Sequence, residues 1–131
     1  MSKKWPEYSG PEGSLVPIEF SDIPFEPKRV FYVYGVPDNQ VRGMHAHHTT
    51  QQVLTCVRGQ IKVGLDDGTN KTDTVLNEGE SIFVDKMVWD SQIFLTEDSI
   101  LLSICSSAYD IDDYILDYDK FKKLAQLQQI Y

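Results

Sequence analysis

The sequence predicts an all-β domain over residues 1–131, a barrel or sandwich of short strands with one helix at its C-terminus. Three observations carry this reading. Runs rich in β-branched and aromatic residues recur at short intervals. Clusters of Gly, Pro, Asn and Asp separate them, and helical spacing replaces strand character after Tyr109. Many short strands with regular turns in one small chain close into a barrel or stack as a sandwich.

From the N-terminus, the strand-like runs are Ser14 to Phe20, Arg29 to Tyr34, Gln52 to Val57, Ile61 to Leu65 and Thr74 to Leu76. Ser81 to Val84, Gln92 to Leu95 and Ile100 to Cys105 complete the series, and the segment holding His45 and His47 also reads as β. Turn signals fall between them at Ser9-Gly10-Pro11-Glu12-Gly13, Val36-Pro37-Asp38-Asn39, Arg58-Gly59 and Asn77-Glu78-Gly79. Asp67-Gly68-Thr69-Asn70 closes a hairpin, because glycine supplies the positive φ that such loops require. After Tyr109, three aspartates precede Tyr114, Tyr118, Phe121 and Ala125 at helical spacing, and Lys120, Lys122 and Lys123 follow. That order of charge suits the helix dipole and predicts a helix over 112–129, its aromatic stripe packed on the β domain.

Composition narrows the functional classes. A formal net charge of −8 argues against nucleic-acid binding, which draws affinity from basic surfaces. A phosphorylated small molecule needs only a local cationic pocket, for which Lys28, Arg29, Arg42 and Arg58 are candidates. No apolar run approaches the roughly 20 residues that cross a bilayer. The segment Met1-Ser2-Lys3-Lys4-Trp5-Pro6 has basic residues without an apolar stretch, so a cytoplasmic location is expected. Cys56 and Cys105 sit in apolar runs and read as small buried hydrophobes, not as a disulfide framework.

The chemistry concentrates in Arg42-Gly43-Met44-His45-Ala46-His47. Strand alternation turns His45 and His47 to one face and His48 to the other. Paired imidazoles beside an arginine can move a proton, hold a metal, or simply be solvated, and spacing alone leaves all three open. His45-Ala46-His47 is followed by Gln52 and Gly59, then by Gly79, Asp85, Met87 and Trp89-Asp90. This frame resembles the two-part motif of the cupins, small double-stranded β-helix (jelly-roll) barrels. Metal-binding cupins usually carry a Glu where this chain has Gln52 and a third His where it has Asp90. Gln52 brings no charge to offset a cation, whereas His45, His47 and Asp90 could form a two-histidine, one-carboxylate set of the kind a cupin oxygenase uses.

A larger set of segments resembles the nucleotide-sugar 3,4-ketoisomerases. It comprises Gly13 to Glu19, Ile23-Pro24-Phe25, Lys28-Arg29-Val30, Arg42 to His47, Gln52-Val53-Leu54 and Leu65 to Gly68. Val88-Trp89, Tyr109-Asp110, Asp113-Tyr114-Ile115 and Asp117-Tyr118-Asp119 continue it, so that the likeness runs from about Gly13 to Phe121. The resemblance implies a cupin homodimer, free of metal and other cofactors, that exchanges its N-terminal strand at 13–20 between subunits. It would convert a dTDP-4-keto-6-deoxyhexose into its 3-keto isomer through an enediol, for the biosynthesis of deoxy-amino sugars. The implied base is His45, with His47 orienting substrate or sharing the proton. Implied substrate contacts are Arg29, Arg42, Gln52, Tyr32 and Trp89. Three positions depart from the pattern: Phe31 replaces a relay Tyr, Glu12 stands where relatives can have Arg, and Asp90, where some relatives have His, could be the acid or base that returns the proton. The first two favour an alternative, a cupin that binds a nucleotide-sugar without turning it over.

Overall fold

The computed structural model describes residues 2–130 and places the strands β1 (Ser2–Lys4), β2 (Tyr8–Gly10), β3 (Gly13–Leu15) and β4 (Arg29–Val33). β5 (Val41–His47), β6 (Gln52–Arg58), β7 (Ile61–Asp66) and β8 (Lys71–Leu76) follow. The chain continues through β9 (Glu80–Val84), β10 (Trp89–Phe94), β11 (Ile100–Cys105) and β12 (Tyr114–Ile115) to helix α1 (Tyr118–Ile130). Two antiparallel five-stranded sheets form, in the orders β1-β9-β6-β11-β4 and β12-β5-β10-β7-β8. β2 and β3 make a separate hairpin whose residues are all exposed.

The sheets face each other across an apolar core. Leu54, Cys56, Ile82, Val84 and Leu101 come from the first sheet, and Ile61, Val63, Leu76 and Phe94 from the second. Their alternation along each strand is what strand geometry demands of a sheet buried on one face. Toward the other end of the barrel the inward residues turn polar, and that change of lining creates the site. Cys56 and Cys105 are buried free thiols, as expected for small core residues. The Asp67-Gly68-Thr69-Asn70 turn joins β7 to β8, with Gly68 at φ +97°.

The helix covers the outer face of the second sheet. Phe121, fully buried, and Ala125 pack on Ala46, Met87, Trp89 and Ile115. Burying a side chain such as Phe121 contributes about 1.5–3 kcal/mol. The helix begins later than the spacing of aromatics predicts. Asp117 accepts hydrogen bonds from the backbone N–H groups of Asp119 and Lys120, a cap that starts the helix at Tyr118. Upstream, Ile111–Asp113 is a short 3-10 turn and Tyr114 belongs to β12, which pairs with β5 (Tyr114 opposite His47). The N-terminal run is also shorter than predicted, since only Gly13–Leu15 is strand and a 3-10 turn occupies Phe20–Asp22. Pro17 lacks the N–H a ladder needs, which interrupts the run.

Candidate active site

Arg42 and His45 stand three residues apart, so strict alternation would put them on opposite faces of β5. A bulge changes that. Gly43 and Met44 both have positive φ, +81° and +59°, and the pairing of β5 with β10 shifts register between Asp90 and Ser91. Asp90 thereby lies opposite His45, and Gln92 opposite Arg42. An extra residue in one strand re-aims the side chains beyond it, a common device beside active sites. Here it brings Arg42 and His45 to the wall of one cleft of about 380 Å³ between the two sheets. That size lies within the range of small-molecule pockets. Arg29, Phe31 and Val33 of β4, Gln52 and Leu54 of β6, Gln92 of β10 and Tyr114 of β12 line the rest.

His45 Nδ1 lies 3.1 Å from the carbonyl oxygen of Gly43. A carbonyl only accepts, so Nδ1 carries the hydrogen, and in the neutral ring Nε2 keeps its lone pair. Nε2 stands 3.9 Å from Asp90 Oδ2. Asp90 is fully buried; its Oδ1 accepts from the Gln92 amide at 2.9 Å, while Oδ2 has no hydrogen-bond partner. Burial holds the Asp90 carboxyl well above the usual carboxylate range, opposed by the nearby His45 charge and the Gln92 donor. His47 lies behind His45, ring centroids 4.9 Å apart, and packs at 4.5 Å against Tyr114. Burial, and then the neighbouring His45, lower its pKa to about 4, so His47 is neutral at neutral pH.

Arg29 lies over the Phe31 and Tyr109 rings, 4.7 and 5.2 Å from their centroids. Arg29 and Arg42 give the cleft cationic character in an otherwise acidic chain. Gln52 is buried and donates to Cys105 Sγ at 3.4 Å.

Two sequence-named contacts are not in this group. Tyr32 alternates away from Phe31 to the outer face of its sheet, where it is 65% exposed and stacked on Tyr34. Trp89 precedes the inward Asp90 and therefore points outward, against Tyr118 and Phe121 beneath the helix. Glu12 stands on the exposed hairpin and borders a separate surface groove, not the cleft. Conversely, Gln92 and Tyr114 line the cleft although the motif points to neither. The signal for Gln92 is its place two residues beyond Asp90 on the same strand face.

Fold and site together define a cupin-type barrel with an imidazole and a buried carboxyl facing each other inside its mouth. The chain belongs to the family described as FdtA: WxcM-like, C-terminal, whose model matches residues 2–126. The TDP-4-oxo-6-deoxy-alpha-D-glucose-3,4-oxoisomerase of Aneurinibacillus thermoaerophilus is 39% identical over 113 residues, 85% of this chain and 81% of the relative. QdtA, a sugar 3,4-ketoisomerase from Thermoanaerobacterium thermosaccharolyticum with a crystal structure in complex with TDP, superposes with a TM-score of 0.91 at 33% identity. That match covers 98% of this chain and 95% of the other. A 3,4-ketoisomerase from Helicobacter canadensis matches at TM-score 0.90 and 31% identity over 96% of both chains.

Proposed function

We propose that this chain is an isomerase that moves the keto group of a dTDP-4-keto-6-deoxyhexose from carbon 4 to carbon 3 through an enediol, in the making of deoxy-amino sugars. The observation that carries the reading is His45, a cleft imidazole whose Nδ1 is tied to the Gly43 carbonyl and whose free Nε2 faces Asp90. The named substrate of the Aneurinibacillus relative and the TDP bound to the Thermoanaerobacterium enzyme support the same chemistry.

The carbon 4 ketone acidifies the hydrogen on carbon 3, because its removal gives a delocalised enolate. A neutral imidazole is matched to that task, with a pKa near the working pH. His45 takes this proton, His47 braces the His45 ring as a neutral neighbour, and Asp90 is the second acid–base group. Arg29 and Arg42 bind the diphosphate or the developing enediolate, for which a guanidinium fork is suited. Gln52 contributes a polar wall. The direct test is to incubate the protein with TDP-4-keto-6-deoxyglucose and follow the carbonyl by NMR. A carbonyl that migrates to carbon 3 is expected; tight binding without migration would make the chain a binding module instead.

The reaction is proposed to need no metal or other cofactor. Gln52 brings no charge, and among the described residues no three His, Cys, Asp or Glu side chains converge as metal ligands. Elemental analysis of the purified protein should find no stoichiometric transition metal. Iron, zinc or manganese at one per chain, lost together with activity on chelation, would point to an oxygenase.

A homodimer is part of the proposal, with the N-terminal region reaching the neighbouring subunit. Tyr8 and Leu15 on the β2–β3 hairpin are 65% and 61% exposed, and β4 is an edge strand with Val30 and Tyr32 uncovered. An uncovered edge and exposed apolar side chains favour association. Sedimentation at micromolar concentration should give a dimer, and a monomer would contradict this arrangement. No helix among the described residues is long and apolar enough to cross a membrane. We further propose a cytoplasmic enzyme that binds neither membrane nor nucleic acid, the latter disfavoured by the net charge of −8.

A further inference from the structure

We propose that Gln92 is a positioning residue that holds the Asp90 carboxyl so that its unpartnered oxygen is turned toward His45 Nε2. This assignment rests on the isomerase reading above. Gln92 is buried, lines the cleft and sits two residues from Asp90 on the same face of β10. Its side-chain amide donates to Asp90 Oδ1 at 2.9 Å. A carboxyl turns about its terminal torsion with little restraint unless a partner fixes it. With Oδ1 held, Oδ2 is left without a partner, 3.9 Å from His45 Nε2.

That separation is too long for a direct hydrogen bond, so the Gln92 amide is the side-chain contact that sets the direction of the carboxyl. The other charged or titratable groups around this pair are Arg42 and His47 on β5, Arg29 on β4 and Tyr114 on β12.

The isomerisation moves an oxygen-bound proton as well as a carbon-bound one, and two groups balance it. The bond from carbon 3 to hydrogen breaks toward neutral His45, its electrons form the carbon 3–carbon 4 double bond, and the carbonyl π pair takes a proton from the Asp90 acid. In the second half the Asp90 carboxylate removes the proton from the carbon 3 oxygen, the new carbonyl forms, and the histidinium protonates carbon 4. His45 ends neutral and Asp90 ends protonated, as they began. If Gln92 does not fix it, the carboxyl does not face the oxygen it must serve.

Gln92→Met keeps the volume and removes the donor. We expect kcat to fall about 10–100-fold with KM little changed, the loss that follows removal of one hydrogen bond to the carboxylate that Asp90 becomes in the first half. In the unaltered protein, the Gln92 side-chain amide resonances should shift with pH in step with the Asp90 carboxyl carbon. Amide resonances that stay fixed while that carbon titrates would overturn the contact, whether or not the variant folds. A folded Gln92→Met variant with full kcat would overturn the positioning role alone. No turnover by the unaltered protein would overturn the isomerase reading itself, so the two failures are distinguishable.

Discussion

Replacing His45 by Asn is expected to lower the isomerisation rate by about 10²–10⁴-fold, the loss typical of removing a general base. Asparagine keeps hydrogen-bonding capacity but cannot accept a proton near neutral pH, so the loss belongs to kcat. Binding of the TDP-sugar, proposed to rest on Arg29, Arg42 and the cleft walls, should be largely intact by calorimetry. The Asn side chain is smaller than imidazole and lies at a partly exposed position, so the fold should persist. Turnover at the wild-type rate would show that His45 is not the base, and equal losses of binding and turnover would make its role structural.

Gly43→Ala is expected to damage the same chemistry through the backbone. A Cβ on Gly43 would stand 2.7 Å from Asp90 Oδ1 and 3.1 Å from the Asp90 carbonyl oxygen, at φ +81°. The positive φ and the collision each cost about 1–3 kcal/mol. To relieve them, either the Asp90 carboxyl leaves its place between Gln92 and His45 or β5 gives up its bulge. The second course would return Arg42 to the face opposite His45. Thermal unfolding should therefore drop clearly and isomerisation should be largely lost in whatever remains folded. A variant with wild-type melting and wild-type rate would remove the bulge from the account.

The same bulge marks where sequence reasoning stops. Most strands are legible because their inward residues are apolar and their turns carry glycine, as in β7, the Asp67 to Asn70 loop and β8. His45 and His47 are legible as a pair because two is the strand period. Arg42 joins them only after two consecutive residues take positive φ, and the isolated glycine within a strand pattern is its only local trace. Tyr114 reads as helical because Tyr118, Phe121 and Ala125 continue its spacing. The Asp117 cap and pairing with β5 override that period, and they carry the tyrosine to the cleft. Trp89 and Tyr32 illustrate the converse: alternation from Asp90 and from Phe31 turns both outward, whatever their chemistry suits.

The central claim is that an enediol forms when the cleft removes the carbon 3 proton. Its most direct test is prolonged turnover of TDP-4-keto-6-deoxyglucose in deuterated water, with NMR of both sugars after many passes. His45 is partly open to solvent, its side chain 18% exposed, so a proton it holds can exchange between half-reactions. The account predicts deuterium at carbon 4 of the 3-keto product and at carbon 3 of the recovered substrate. Complete interconversion with only protium at both positions would mean that hydrogen passes directly between the two carbons, and would contradict it.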